Sequence, residues 1–264
     1  MKSMNCFLLC TAALLLFNLY GIAIAAPPPA AYVTLLKGEG TAATSDGTVR
    51  ALAHGYAVYS GDTVSTGPAT ILGLKFSDGG LVVLRPGSRF RIADFQDTHN
   101  NLASWNTAAS AAPAAAMPDD SNSRAFFELL KGGFRAVSGG IGKAHHQQYR
   151  IQTPVATVGV RGTDYVAVIC DAACAKDPVI AAALPSGAHA EGGLVAGVVH
   201  GRIAVGNKQL CPDQLQKNDS SNSCTEISAG QYLLTTAEGQ ELALSREPTF
   251  LRVDPLPDPK SCAD

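Results

Sequence analysis

Arg161, Gly162, Thr163 and Asp164 interrupt TPVATVGVRGTDYVAVI, residues 153–169, whose apolar residues otherwise alternate as in a strand. A cation, a hydroxyl and a carboxylate this close together raise the question of an active site. Nucleophilic catalysis needs a Ser or Cys, a base and an acid that orients it, groups that can lie far apart in sequence. The chain holds no G-x-S-x-G, H-E-x-x-H or phosphate-loop pattern. His145 and His146 are adjacent, so on a strand they would point to opposite faces and would not share a metal; a solvated loop before Tyr149 explains them. Asp119-Asp120 and the Glu238–Glu241 group suit solvated loops, and Trp105 and Tyr59 beside turns either line a glycan site or cap a sheet edge. Gly61 and Asp62 sit in GDT, where Gly permits a positive φ and Asp bonds the turn backbone. No catalytic, cofactor or metal residue is therefore assigned.

The cysteines are the other reactive set. Cys6 and Cys10 lie in an apolar N-terminal segment, which leaves Cys170, Cys174, Cys211, Cys224 and Cys262. Four thiols can bind zinc, but these spacings lack paired C-x-x-C knuckles, and an exported chain oxidises its thiols. Cys211 and Cys224 bracket the polar stretch PDQLQKNDSSNS, where a disulfide would close a loop that packing cannot hold. Cys170 and Cys174 bracket Asp-Ala-Ala and suit a tight local clasp. Cys262 falls in a C-terminal tail, residues 254–264.

The elements that must position these groups read as strand after strand. Gly (26 residues) and Pro (15) punctuate the chain at short intervals, which suits many short strands better than long helices. Ile71 to Phe76 alternate, Asp78-Gly79 supplies a type I′ hairpin turn, Leu81 to Leu84 return, and Pro86-Gly87 turns again into Arg89–Ile92, giving a meander. Leu35-Leu36-Lys37-Gly38 recurs as Leu129-Leu130-Lys131-Gly132 and as Val198-Val199-His200-Gly201, a strand-corner-strand unit in which Gly lets the chain bend. Residues 106–123, rich in Ala and Pro, bury little and read as an exposed insertion. Residues 171–192 read as a second loop insertion with one helical turn at most.

Charge and the N-terminus limit the function classes. A net charge of −2, without clustered Lys and Arg, argues against nucleic acid. Lys2, the apolar run from Phe7 to Ala26 and Ala23-Ile24-Ala25 form a signal peptide, residues 1–25, placing the chain in the periplasm or outside the cell. The alternative is an uncleaved membrane anchor.

In this order, GDTVSTG at 61–67, FSDGG at 76–80, LLKG at 129–132 and TPVATVGVRGTDY at 153–165 resemble the FecR domain over residues 33–170. The family takes its name from a regulator of ferric citrate uptake in Gram-negative bacteria. The resemblance implies an exported all-β domain of antiparallel meanders in a stacked sandwich or roll, and residues 193–253 fit a β extension of the same fold. It transfers no catalytic residue. The family's regulator has a cytoplasmic sigma-factor segment, and about six residues before the apolar run are too few for one.

The expectation is a non-enzymatic binding or scaffold module of the cell envelope, taking a protein or envelope component through sheet edges and loops. A membrane-anchored signal-transduction regulator and a cell-wall or carbohydrate-active enzyme are the alternatives. Strict alternation from Ala156 places Asp164 on the face of Val158, Val160, Val166 and Val168. Either Gly162 marks a bulge that turns Asp164 outward, or Asp164 is buried and paired with Arg161 or Thr163; the bulge is favoured. Either way the motif, with Asp78 and Gly79, is structural. Gly162→Val is then expected to lower the unfolding midpoint before it alters any activity, and wild-type stability in that variant would count against the motif's structural role.

Overall fold

The computed structural model describes residues 27–98, 122–207 and 224–253. One continuous hydrogen-bonded sheet curls through bent strands into two facing layers, the first and second sheets. The first sheet runs β3 (Val49–Ala51), β2 (Gly40–Ala43), β5 (Thr63–Thr66), β8 (Arg89–Gln96), β9 (Arg124–Lys131) and β11 (Tyr149–Gln152). The second runs β4 (Ala57–Val58), β1 (Ala31–Lys37), β6 (Ile71–Phe76), β7 (Leu81–Leu84) and β10 (Gly133–Val137). Two long strands, β12 (Ala156–Ile169) and β13 (Leu194–Asn207), belong to both. The first half of β12 pairs with β11 and its second half with β10. In the same way β13 pairs with β15 (Tyr232–Thr235) by its first half and with β14 (Cys224–Ser228) by its second, and β16 (Glu241–Leu244) follows β15.

Alternation puts one face of each sheet into a shared core. Phe76 of the second sheet meets Phe95 and Phe127 of the first at ring-centroid distances of 5.2 and 5.1 Å, and Phe90 meets Phe134 at 5.3 Å. Such tilted and edge-on aromatic pairs add to the burial of their large apolar area. The all-β architecture follows, with two departures from a plain meander. Strands β6 and β7 do form a hairpin, but the turn at Pro86-Gly87 carries β8 into the other sheet, beside β5. Strand β11 runs parallel to β9, because the chain leaves for β10, passes through helix α1 (Gly140–Ala144), and returns. Local alternation specifies a buried face; it does not specify which neighbour a strand takes.

Four of the passages between sheets occur at glycines with left-handed backbone: Gly38 (φ 98°), Gly132 (φ 71°), Gly162 (φ 57°) and Gly201 (φ 82°). Three of them close the repeated phrase. At three corners a buried hydroxyl from a neighbouring segment bonds the residue after the glycine. Thr70 Oγ1 accepts from the Glu39 amide at 2.8 Å, Ser88 Oγ from Gly133 at 2.9 Å, and Ser138 Oγ from Thr163 at 2.9 Å. At the fourth corner Thr163 Oγ1 donates to the Arg202 carbonyl at 2.7 Å. A bend breaks the ladder, and these hydroxyls satisfy backbone groups that would otherwise be buried unpaired. The approach is close: a Cβ on Gly132 would lie 2.5 Å from Ser88 Oγ, and one on Gly38 2.4 Å from Thr70 Oγ1.

The outer face of the second sheet is roofed over β12, β13, β15 and β16. Residues 171–192, expected as a loop with one helical turn, form α2 (Ala172–Ala175) and the six-residue α3 (Pro178–Ala183). Asp177 caps α3, accepting from Val179 N at 2.8 Å, and also accepts from Thr249 N at 2.7 Å, which ties the 3-10 turn Thr249–Val253 to the helix. Val179, Ile180 and Leu251 then cover Val166, Val168, Val195 and Leu234. This second core explains why β12 is apolar on both faces beyond Gly162. Most of the 106–123 insertion lies outside the described residues; Ser123, at its end, is buried and hydrogen-bonded to Thr98.

Corner chemistry makes graded predictions. Ser88→Ala strands the Gly133 amide and is expected to cost about 1–3 kcal/mol in urea unfolding. Gly162→Ala meets nothing nearer than Lys143 Cγ at 3.5 Å, so only left-handed strain remains, roughly 1–2 kcal/mol. Gly201→Ala also drives a Cβ to 2.8 Å from the Gly162 carbonyl and is expected to cost more. Equal losses at Gly162 and Gly201 would contradict this account.

Candidate binding face

The residues that could have formed an active site are held in structural pairs. Asp62 is 2% exposed and is clasped by the Arg50 guanidinium, with a further hydrogen bond from Tyr59 N at 2.8 Å. Gly61 beside it takes φ 91°. Asp78 and Gly79 lie in a three-residue hairpin loop, not the two-residue type I′ turn expected. Phe76 N donates to the Gly80 carbonyl at 2.8 Å, Gly79 N donates to the Phe76 carbonyl at 3.0 Å, and Gly79 has φ 82°. The Asp78 carboxylate accepts from Gly80 N at 2.9 Å, and its backbone carbonyl accepts from Gly140 N at 2.8 Å, so the loop docks on the start of α1.

The Arg161–Asp164 cluster separates into different jobs. The β12–β13 register shifts between Arg161 and Asp164 and again between Asp164 and Tyr165, so a bulge resets the strand at Gly162. Ala156, Val158 and Val160 face the shared core before it, and Tyr165 and Ala167 after it. Asp164 turns out of that core and is paired by Arg135, Nε at 3.0 Å and Nη2 at 2.9 Å, a partner that the residues 153–169 by themselves do not name. Thr163 is buried at the corner. Arg161 makes no ion pair among the described residues.

Cys170 and Cys174 are joined by a disulfide with Cα atoms 5.2 Å apart, closing α2 under the roof. Cys224 is disulfide-bonded as well, whereas Cys211 and Cys262 lie outside the described residues, as do Trp105, Asp119 and Asp120. His145 ends α1 and His146 begins a 3-10 turn. Among the described residues no three His, Cys, Asp or Glu side chains gather as a metal site, and no helix is long and apolar enough to cross a membrane.

What distinguishes one surface is the outer face of the first sheet, which none of the described helices covers. Outward positions follow from alternation: Arg89 and Arg91 on β8, Arg124, Phe126 and Glu128 on β9, Arg150 and Gln152 on β11. Arg161 on β12, Arg202 on β13 and Glu226 on β14 continue it. Arg124 pairs with Asp94, Arg91 with Glu128 at 3.4 Å, and Arg202 with Glu226 at 3.2 Å. Arg150 lies flat on Phe126, its guanidinium carbon 3.9 Å from the ring centroid, and has no carboxylate partner among the described residues. The buried Nε atoms of Arg150 and Arg161 lack hydrogen-bond partners among those residues. Beside this cluster is a groove of about 320 Å³ lined by Glu128, Leu130, Gln152, Thr153 and Thr157, with Leu130 41% exposed. Alternation of Arg89 and Arg91 with Phe90 and Ile92 was the one legible hint of this face; Arg150 and Arg202 join it only through strand pairing.

A family model described as FecR protein matches residues 62–188. No curated protein matches the chain. Two crystal structures of a candidate anti-sigma factor from Parabacteroides distasonis ATCC 8503 align with a TM-score of 0.42 and 11% identity, each over 70% of this chain. The chain spans 59% of the length of that protein.

Burial raises the Asp78 carboxyl above its usual range, against the pull of the Gly80 and Ile141 amides. A carboxyl raised in the folded state favours the fold while protonated. That contribution is full below the ordinary aspartate value, about pH 4, and is lost as pH rises through the folded value. Asp78→Asn is therefore expected to flatten the decline in stability from about pH 4 upward, measured by urea unfolding across pH. Parallel curves for variant and wild type would show that Asp78 is not the source.

Proposed function

We propose, from the match of the FecR family model to residues 62–188, that the chain acts as a non-enzymatic binding module of the cell envelope. The observation that carries the reading is the uncovered outer face of the first sheet, with its arginines and adjoining groove. Over β12, β13, β15 and β16 the outer face of the second sheet is closed by α2, α3 and the Thr249–Val253 turn, so the apolar residues there have partners within the chain, whereas Tyr32 on β1 stays exposed. The carboxylates Asp62, Asp78 and Asp164 each hold backbone or arginine groups in place, which suits a scaffold and leaves no acid–base pair among them poised over a substrate. A protein partner fits a broad sheet face better than a small ligand does, since a groove this open cannot enclose one.

The family match favours a second reading in which the same face belongs to a signal-transduction regulator held in the membrane by residues 1–25. Mass spectrometry of the mature N-terminus separates the two, because a chain that begins at Ala26 has no span of its own through which to signal.

A photo-crosslinking residue placed at Leu130, on the face, is expected to capture a partner in intact cells, whereas the same residue at Tyr56, 54% exposed elsewhere, is not. Capture from Tyr56 alone would move the binding surface away from the first sheet.

A further inference from the structure

We propose that the outer face of the first sheet takes an extended acidic peptide segment of a partner protein, with one carboxylate received between Arg150 and Arg161 and one apolar side chain in the groove beside Leu130. This rests on the reading of that face as the binding surface.

The charge arrangement calls for an anion. Arg161 stands directly opposite Arg202 in the β12–β13 register, and like charges at opposed positions repel. Arg150 is opposite Gly159, two residues before Arg161, so it is the diagonal neighbour on the third strand. Among the described residues one carboxylate, Glu226, serves these three guanidinium groups, and it bonds Arg202. The whole chain has a net charge of −2, so this local excess of cations is a property of the face and not of the protein at large. Phe126 holds Arg150 flat and restricts its rotamers, a pre-ordering that lowers the cost of binding a planar carboxylate. Gly159 and Ala204, which fill the cross-strand row between Arg150 and Glu226, keep bulk off the sheet beside Arg161 and Arg202.

Spacing points to an extended occupant. Thr157 in the groove and Arg161 are four residues apart on β12, a separation of roughly 13 Å along a strand. An extended peptide has the same rise, and an even separation keeps both its side chains toward the sheet. The segment recognised is therefore an apolar residue followed four positions later by Asp or Glu. A sugar acid offers the carboxylate without the apolar anchor for Leu130, and lipid phosphate offers neither this spacing nor a planar carboxylate.

The probe is a fluorophore-labelled peptide, Leu-Thr-Ser-Thr-Glu-Ser-Glu with an amidated end, titrated with the full mature chain by anisotropy at low salt. Binding is expected, weakened by added salt, with its affinity reduced about tenfold or more in a twin carrying Gln for both Glu. Arg161→Gln and Arg150→Gln are expected to do the same, and Lys75→Gln, an exposed cation on β6 of the second sheet, to leave it unchanged. The Gln twin on the wild-type chain needs no variant and so does not depend on a variant's folding. No binding, equal binding of the twin, or unaltered binding by Arg161→Gln overturns the proposal. Arginine-dependent binding to phosphatidylglycerol vesicles in place of the peptide overturns it in favour of lipid phosphate. If the Leu130 crosslinker captures a partner equally well in Arg161→Gln, the binding face stands and the acidic-segment proposal fails; no capture in the wild type removes the face itself.

Discussion

Four sheet-to-sheet passages in this protein share one physical problem, that a strand which bends leaves backbone groups without ladder partners in a dry interior. The solution is repeated at Gly38, Gly132, Gly162 and Gly201, where the left-handed residue makes the bend and a Ser or Thr hydroxyl restores a bond to the neighbouring peptide. A serine or threonine hydroxyl both donates and accepts, so it can serve whichever backbone group the corner exposes. Thr163 does this twice over, giving its amide to Ser138 and its hydroxyl to the Arg202 carbonyl, and thereby couples the Gly162 corner to the Gly201 corner.

The corners decide where polar chemistry ends up. Because β12 resets at Gly162, Asp164 leaves the shared core and meets Arg135, while Arg161, on the other side of the bulge, remains with the first sheet. A motif that looks like one cluster in sequence is thus divided between two sheets. Its glycine, threonine and aspartate hold the fold together, and its arginine joins Arg150 and Arg202 on a surface assembled from three strands.

The two outer faces then differ in whether a later segment of the chain returns over them. Residues 171–192 return over the second sheet with Val179 and Ile180 inward, and Asp177 fixes their position against Thr249. The first sheet has arginine, glutamate and glutamine at many of its outward positions, a polar surface that tolerates water and offers little apolar area for a roof to bury. Solvent-facing cations also blunt association with stray strands, so these residues discourage indiscriminate sheet-to-sheet contact.

Alternation, turn residues and the three Gly-terminated phrases made the all-β class, the β6–β7 hairpin and the bulge at Gly162 legible, because period two and left-handed glycine are local properties of the chain. The Cys170–Cys174 clasp was legible for the same reason, four residues being within reach of one turn. Pairing was not legible: that β8 joins β5, that β11 runs parallel to β9, that Arg135 and not Arg161 takes Asp164, and that α3 roofs a second core. A strand's own residues state which side is apolar, but its neighbour is chosen by the summed packing of both faces across long sequence separations. The sequence by itself therefore determined the kind of structure and where it bends. Only the tertiary structure brought Arg150, Arg161 and Arg202 side by side, since they lie on strands whose adjacency no local pattern encodes.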